Sequence, residues 1–287
     1  MLRGVLLLAL LALVWGSNWP VMKVVLGEFP ILAFRALCVL FSGPAMLLLA
    51  RASGESVAIP PGAFVPLLAI SVFNVTAWFL LSAFGVALME AGRAAIIAYT
   101  MPILALLPAW LVLGERPTAL SLLGLGLGAV ALVALIAPAA AAIGTAPLGP
   151  LLMLAGAASW GIGTVLIKKL RPPMSTIQFT GWQIVIGGAP VVLAALLLDD
   201  WTAVPRVAPL TALLALYVIV VPVTFGQFLW LKIVDLLPVT IAALGSLAVP
   251  VVGVLSSALF LGEEVHGTDA LALVLVVSAL GLILYRR

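Results

Sequence analysis

This chain is short of nearly everything that chemistry in water requires. Of its 287 residues 8% are charged, one is cysteine and one is histidine, whereas a soluble domain carries about 25% charged residues. Cys38 alone excludes an internal disulfide, and with His266 as its only companion no Cys/His set can close around zinc. Thirteen basic residues are scattered between apolar runs, so no patch is continuous enough to track phosphates and no nucleic acid partner is expected. Neither a metal nor a cofactor is expected. A nucleophile with its base, or a carboxylate pair at one depth, is also missing, which makes an integral membrane enzyme the weaker alternative. No ring of charge or filter sequence marks a channel.

What is abundant is apolar surface: 65% of the residues are hydrophobic and the mean hydropathy is +1.37. About 20 apolar residues span a bilayer core as a helix. Apolar runs between charged or Pro/Gly breaks place ten such helices, near 3-26, 29-50, 63-88, 92-113, 118-137, 147-168, 174-198, 207-232, 238-261 and 267-285. The expected class is therefore an all-α integral membrane protein. Trp15-Gly16-Ser17-Asn18-Trp19 contains no small-residue cleavage pattern, so the first run is expected to be a retained helix and not a signal peptide.

The chain also repeats itself. Ala12-Leu13-Val14-Trp15-Gly16 returns 145 residues later as Ala157-Ala158-Ser159-Trp160-Gly161. Met101-Pro102 with Leu113-Gly114-Glu115 returns as Val249-Pro250 with Leu261-Gly262-Glu263, the proline-to-glutamate spacing being 13 in both. Two five-helix units are expected, 1-141 and 142-287, meeting in the uncharged loop Ala137 to Ala142. Arg3, Arg51, Arg116, Lys168, Lys169, Arg171, Lys232, Arg286 and Arg287 fall on the side of both termini, and Lys23, Arg35, Arg93 and Arg206 on the other. That asymmetry places both termini in the cytoplasm. Because five is odd, the second unit enters from the opposite face, so the units are inverted repeats with a substrate cavity between them near the midplane.

These residues resemble the drug/metabolite transporter superfamily in its EamA-type ten-helix branch. Trp15-Gly16, Phe34-Arg35, Pro102 with Leu113-Gly114-Glu115, and the second copies Trp160-Gly161 and Pro250 with Leu261-Gly262-Glu263 carry the resemblance, which covers nearly the whole chain. It implies secondary transport of small metabolites, with export of amino acids, aromatic and other neutral ones among them, as the leading activity. A multidrug exporter of the same superfamily is the alternative. The resemblance further implies a multi-pass monomer in the cell inner membrane, whose partners are lipid and a small-molecule substrate. Thr180 stands where symmetry would repeat Arg35, and residues 3-26 contain no acid, unlike the first helix of the small drug-cation relatives.

Arg35 is the deepest charge, and is expected to snorkel to the interface or to pair with Glu28, seven residues earlier on the same face. Glu90, Glu115, Asp235, Glu263 and Glu264 are expected at helix ends within reach of water. Pro102 and Pro250, at matched depth, are expected to bend their helices as hinges or as static kinks. Trp15, Asn18, Trp19 and Met22 share one face of the first helix. Together with Trp78, Tyr99, Trp160, Gln227 and Ser246 the first three form the candidate substrate site: deep aromatics as walls, and a few neutral polar groups to orient an amphipathic metabolite. Asn74 is a further polar group at mid-depth. Gly124, Gly126 and Gly128, with Gly267, Ala279 and Gly281, are expected to serve close helix packing.

Overall fold

A computed structural model describes residues 2–114, 116–141, 147–170, 172–236 and 248–284. Ten apolar helices run through it: α1 (Leu2–Glu28), α2 (Ile31–Ala52), α3 (Phe64–Ala87), α4 (Ala91–Leu113), α5 (Ala119–Ala141), α6 (Leu148–Leu170), α7 (Thr176–Leu198), α8 (Pro209–Val218 continuing through Ile219–Phe225 to Gly226–Leu236), α9 (Ala248–Leu261) and α10 (Gly267–Leu284). No strand occurs among the described residues. Helices are the outcome that hydrocarbon imposes, since each one satisfies its own backbone donors and acceptors. Leu259 and Phe260 stand 80% and 73% exposed, as side chains do when their solvent is lipid.

The packing partners reveal the repeat. Helix α1 lies against α9 and α8, α6 against α4 and α3, α2 against α7, α5 against α10, and α4 against α9. Replacing each helix by the one five places along the chain maps this set onto itself. The pairs α1/α9 and α6/α4 exchange, as do α1/α8 and α6/α3, while the other three are their own images. This is the architecture of two five-helix repeats packed through their equivalent faces.

Where helices begin or end, side chains from distant segments supply the missing partners. Asp199 Oδ2 accepts from the Ala33 amide at 2.7 Å in the first turn of α2, and Glu28 Oε2 accepts from the Ala208 amide at 3.1 Å, just ahead of α8. At the face of the termini the loop after α2 is fastened to the start of α7. Gln178 Nε2 donates to Ala58 O (2.6 Å), Trp182 Nε1 donates to Val57 O (2.8 Å), and the Ser175 hydroxyl donates to Glu55.

Two expectations are corrected. Helix α4 is not bent at Pro102 but broken ahead of it: Ala91–Ala98 ends, Tyr99 and Thr100 form a turn, and Met101–Leu104 and Leu106–Leu113 follow. Pro102 lies in the first turn of the new piece, where its missing donor leaves no helical bond unmade. The glycine stripe does not serve close packing throughout, because a Cβ on Gly126, Gly267 or Gly281 would meet nothing within 4 Å. Gly128 does make a close contact, but with Ile103 of α4.

Candidate functional site

The duplicated motifs touch one another across the repeats. Gly16 in α1 lies so close to α9 that a Cβ there would meet Val252 Cβ at 2.5 Å and Val249 O at 3.0 Å. Gly161 in α6 lies against α4 in the same manner, with Met101 O at 3.0 Å and Ala105 N at 3.1 Å. Met101 and Val249 are counterparts, each directly before its proline. The Trp-Gly step of either repeat is thus seated on the proline segment of the other, and glycine leaves the room needed, for the Val252 side chain and Val249 carbonyl at Gly16 and for backbone at Gly161.

Beside each seat one helix is locally unwound. Residues Val72–Ala77 of α3 and Ile219–Phe225 of α8 are π-helical and begin 147 residues apart, so the unusual winding is itself duplicated. Such widened turns free backbone carbonyls and cluster at functional sites. Here Trp15 Nε1 donates to Pro222 O at 3.0 Å, and the Ser159 hydroxyl, next to Trp160, donates to Phe73 O at 2.9 Å. Thr76 Oγ1 donates to Gly187 O of α7 (2.6 Å), and Thr224 Oγ1 donates to Ser42 Oγ of α2 (2.8 Å). The two threonines stand 148 residues apart.

Two aromatic pairs flank these stretches. Trp78 and Trp160 meet edge to face with ring centroids 5.4 Å apart, and Trp15 meets Trp230 at 6.0 Å. Trp15, Asn18, Trp78, Tyr99, Trp160 and Gln227 are all half-buried, so each keeps part of its surface outside the packed core. Tyr99 sits at the break in α4, and Gln227 lies directly after the widened turn of α8. Trp19, by contrast, is packed in the core with Met22, its ring edge against Gly253. Pro250 is buried in the first turn of the described α9, and Ser246 lies outside the described residues. Asn18 Oδ1 and Asn74 Oδ1 are buried without a hydrogen-bond partner among the described residues. A groove of about 330 Å³ between α2 and α7, lined by apolar residues such as Val39, Pro44, Ile184 and Leu196, lies away from this cluster.

The charges are placed differently from expectation. Arg35 neither snorkels nor meets Glu28. It is 5% exposed, Nη2 donates to Ser82 Oγ at 2.8 Å, the guanidinium stands 4.9 Å from the Phe79 ring centroid, and Nε has no hydrogen-bond partner among the described residues. Glu28 is engaged at the Ala208 amide instead, and the first turn of α2 is capped by Asp199. Glu263 is not simply solvated: Oε1 accepts from the Ala91 amide at 2.7 Å and Oε2 from the Gly92 amide at 2.9 Å, capping α4. Lys23 Nζ donates to Val86 O, Ala87 O and Met89 O at 2.9, 2.9 and 2.8 Å, closing the end of α3. Arg93 Nε bridges Asp269 Oδ1 at 2.7 Å and Glu90 Oε2 at 3.0 Å. Lys23 and Asp269 were missed in the sequence because their partners are remote. A signal for the lysine existed: Lys23 follows Trp15 by eight residues, as Lys168 follows Trp160.

Comparison with known proteins agrees with this arrangement. The sequence profile of the EamA-like transporter family matches residues 2–137 and again 147–285. Among similar proteins, the Bacillus subtilis (strain 168) "uncharacterized transporter YvbV" is 28% identical, the alignment covering 98% of this chain and 91% of that one. A "probable amino-acid metabolite efflux pump" of Escherichia coli (strain K12) is 29% identical over 96% of this chain and 93% of its own. A solved crystal structure superposes with a TM-score of 0.68 at 20% identity, covering 98% of this chain and 97% of the other.

Proposed function

The chain belongs to the EamA-like transporter family, and from that premise we propose that it is a secondary transporter that exports neutral amino acids, aromatic ones among them, or closely related small metabolites. The observation that carries the reading is the duplicated pair of widened turns with their tryptophans, Trp78 with Trp160 and Trp15 with Trp230, on the four helices α1, α3, α6 and α8. An amphipathic solute needs apolar walls and a few oriented polar groups. The half-buried tryptophans supply walls, and Asn18, Gln227, Tyr99 and the carbonyls of the widened turns supply polar contacts. The similarity to an amino-acid metabolite efflux pump supports the substrate class.

In this reading the halves 1-141 and 142-287 are the moving units and the termini face the cytoplasm across the inner membrane. The protein works as a monomer. Pro102 starts a helical piece that tilts as a unit, α4 swinging at its Tyr99-Thr100 turn, and Pro250 plays the matching part in α9. Binding without a strong fixed counter-charge is weak, which suits export, and several amino acids are accepted. The test is efflux of labelled neutral amino acids by Trp160→Ala and Gln227→Ala. Each is expected to lose transport while the amount of protein in the membrane is unchanged. Normal efflux by both variants would remove this site.

A further inference from the structure

Lys23 is a cation in a membrane-crossing helix whose three donors all go to neutral carbonyls. It stands two turns beyond Trp15 and one beyond Trp19 along α1, at the level where α3 turns into α4. Val86 O, Ala87 O and Met89 O belong to the open end of α3, where carbonyls carry the negative pole of the helix. Two residues further along, Glu263 holds the opposite pole, the Ala91 and Gly92 amides that begin α4. The α3–α4 turn is therefore gripped from both sides, by a lysine from α1 and a glutamate from the α9–α10 turn. This turn lies at the level of the end of α1, on the face opposite its start.

The two halves of the grip differ in chemistry. Glu263 is well matched, an anion bonded to two amides. Lys23 is not: an ammonium bonds a carboxylate more strongly than it bonds neutral carbonyls. We propose that Lys23 is the latch on the α3–α4 turn and that a carboxylate on the transported solute releases it by taking over its donors. This rests on the transport reading above and deepens it: the substrate class is carboxylate-bearing, and the missing fixed counter-charge of the aromatic site stands at its exit. A solute carboxylate at Lys23 leaves the α3 carbonyls to water, the turn loses one of its two anchors, and the face opens behind the solute that opened it.

The test uses the full chain in proteoliposomes, with Cys38→Ser removing the native thiol and Ser17→Cys, outside the candidate substrate site, placing a probe deep in α1. A membrane-impermeant maleimide reaches it from the face of the α3–α4 turn. Lys23→Met and Glu263→Ala are each expected to speed labelling by about tenfold or more, as expected when charge-assisted bonds that favour one state are lost. Lys23→Arg, which keeps its donors, stays slow. Phenylalanine is expected to speed labelling of the parent, phenylalaninamide is not, and neither alters Lys23→Met. Thermal melting in detergent establishes that each variant is folded, and Glu263→Ala carries the test if Lys23→Met is not. Labelling of the latch variants at the parent rate, or equal action of acid and amide, overturns the proposal. If labelling behaves as expected but no amino acid exchanges across the membrane, the transport reading falls, and release by the transported solute falls with it.

Discussion

Adding one methyl group to Gly16 tests whether the Trp-Gly step is a seat between the repeats. The Cβ of Gly16→Ala would lie 2.5 Å from both Val252 Cβ and Cγ1 and 3.0 Å from Val249 O. Overpacking of this kind costs roughly 1–3 kcal/mol, and the Cβ of a valine in mid-helix cannot retreat without moving its backbone, which puts the figure near the upper end. Against it, alanine in a helix gains about 1 kcal/mol over glycine. The expected net loss is about 1–2 kcal/mol. Gly161→Ala meets backbone at 3.0 and 3.1 Å and belongs in the same range, toward its lower end. Gly126→Ala, inside α5 with nothing within 4 Å, is the control and gains about 0.5–1 kcal/mol. Thermal unfolding in detergent ranks the three. In the proposed transport cycle the repeats roll on each other at this seat, so counterflow is expected to fall in the two seat variants and not in the control. Equal melting temperatures for Gly16→Ala and Gly126→Ala would refute the reasoning.

Cysteines placed at Ser53 and Thr268 are expected to react with impermeant reagents from opposite sides of the membrane, and reaction from one side would contradict the ten-helix topology with inverted units. Pro102→Ala and Pro250→Ala are expected to slow transport with binding retained, since each removes the fixed φ that proline imposes on its helix; unchanged rates in the double variant would leave both prolines as static features. Ser82→Ala strips the buried Arg35 guanidinium of its hydroxyl partner and is expected to destabilise by about 1–3 kcal/mol. Arg35→Met, which removes the buried charge along with its need for partners, is expected to cost less; a melting comparison in which Arg35→Met is the worse of the two would show that the cation itself is required.

The ten helices were legible because lipid demands long apolar runs: each run contains a described helix, although the first part of the ninth, residues 238–247, lies outside the described residues. The duplication of Trp15-Gly16 and Pro102 was legible too, but its reason was not. The glycine of one copy answers to the proline segment of the other, and such a contact has no signature in either segment alone. The widened turns at Val72–Ala77 and Ile219–Phe225 were hidden for a different reason: Asn74, Thr76 and Thr224 interrupt apolar runs without marking a change of winding, and the matched Val75-Thr76 and Val223-Thr224 pairs are too short to stand out as a repeat. Arg35 was misread because sequence distance favoured Glu28, whereas burial against Phe79 and Ser82 depends on α3 crossing α2. Lys23 and Glu263 grip backbone atoms, so side-chain patterns could mark the lysine by its repeated spacing but could not identify what either residue holds.

The central claim is that solute crosses by exchange through the interface of the two repeats. The most direct measurement is counterflow: proteoliposomes are loaded with unlabelled phenylalanine or leucine, and entry of the labelled compound is followed with no ion gradient imposed. The account predicts transient accumulation of label above its equilibrium level, abolished by Trp160→Ala. Label that only equilibrates, at a rate indifferent to the internal load and to Trp160, would contradict it.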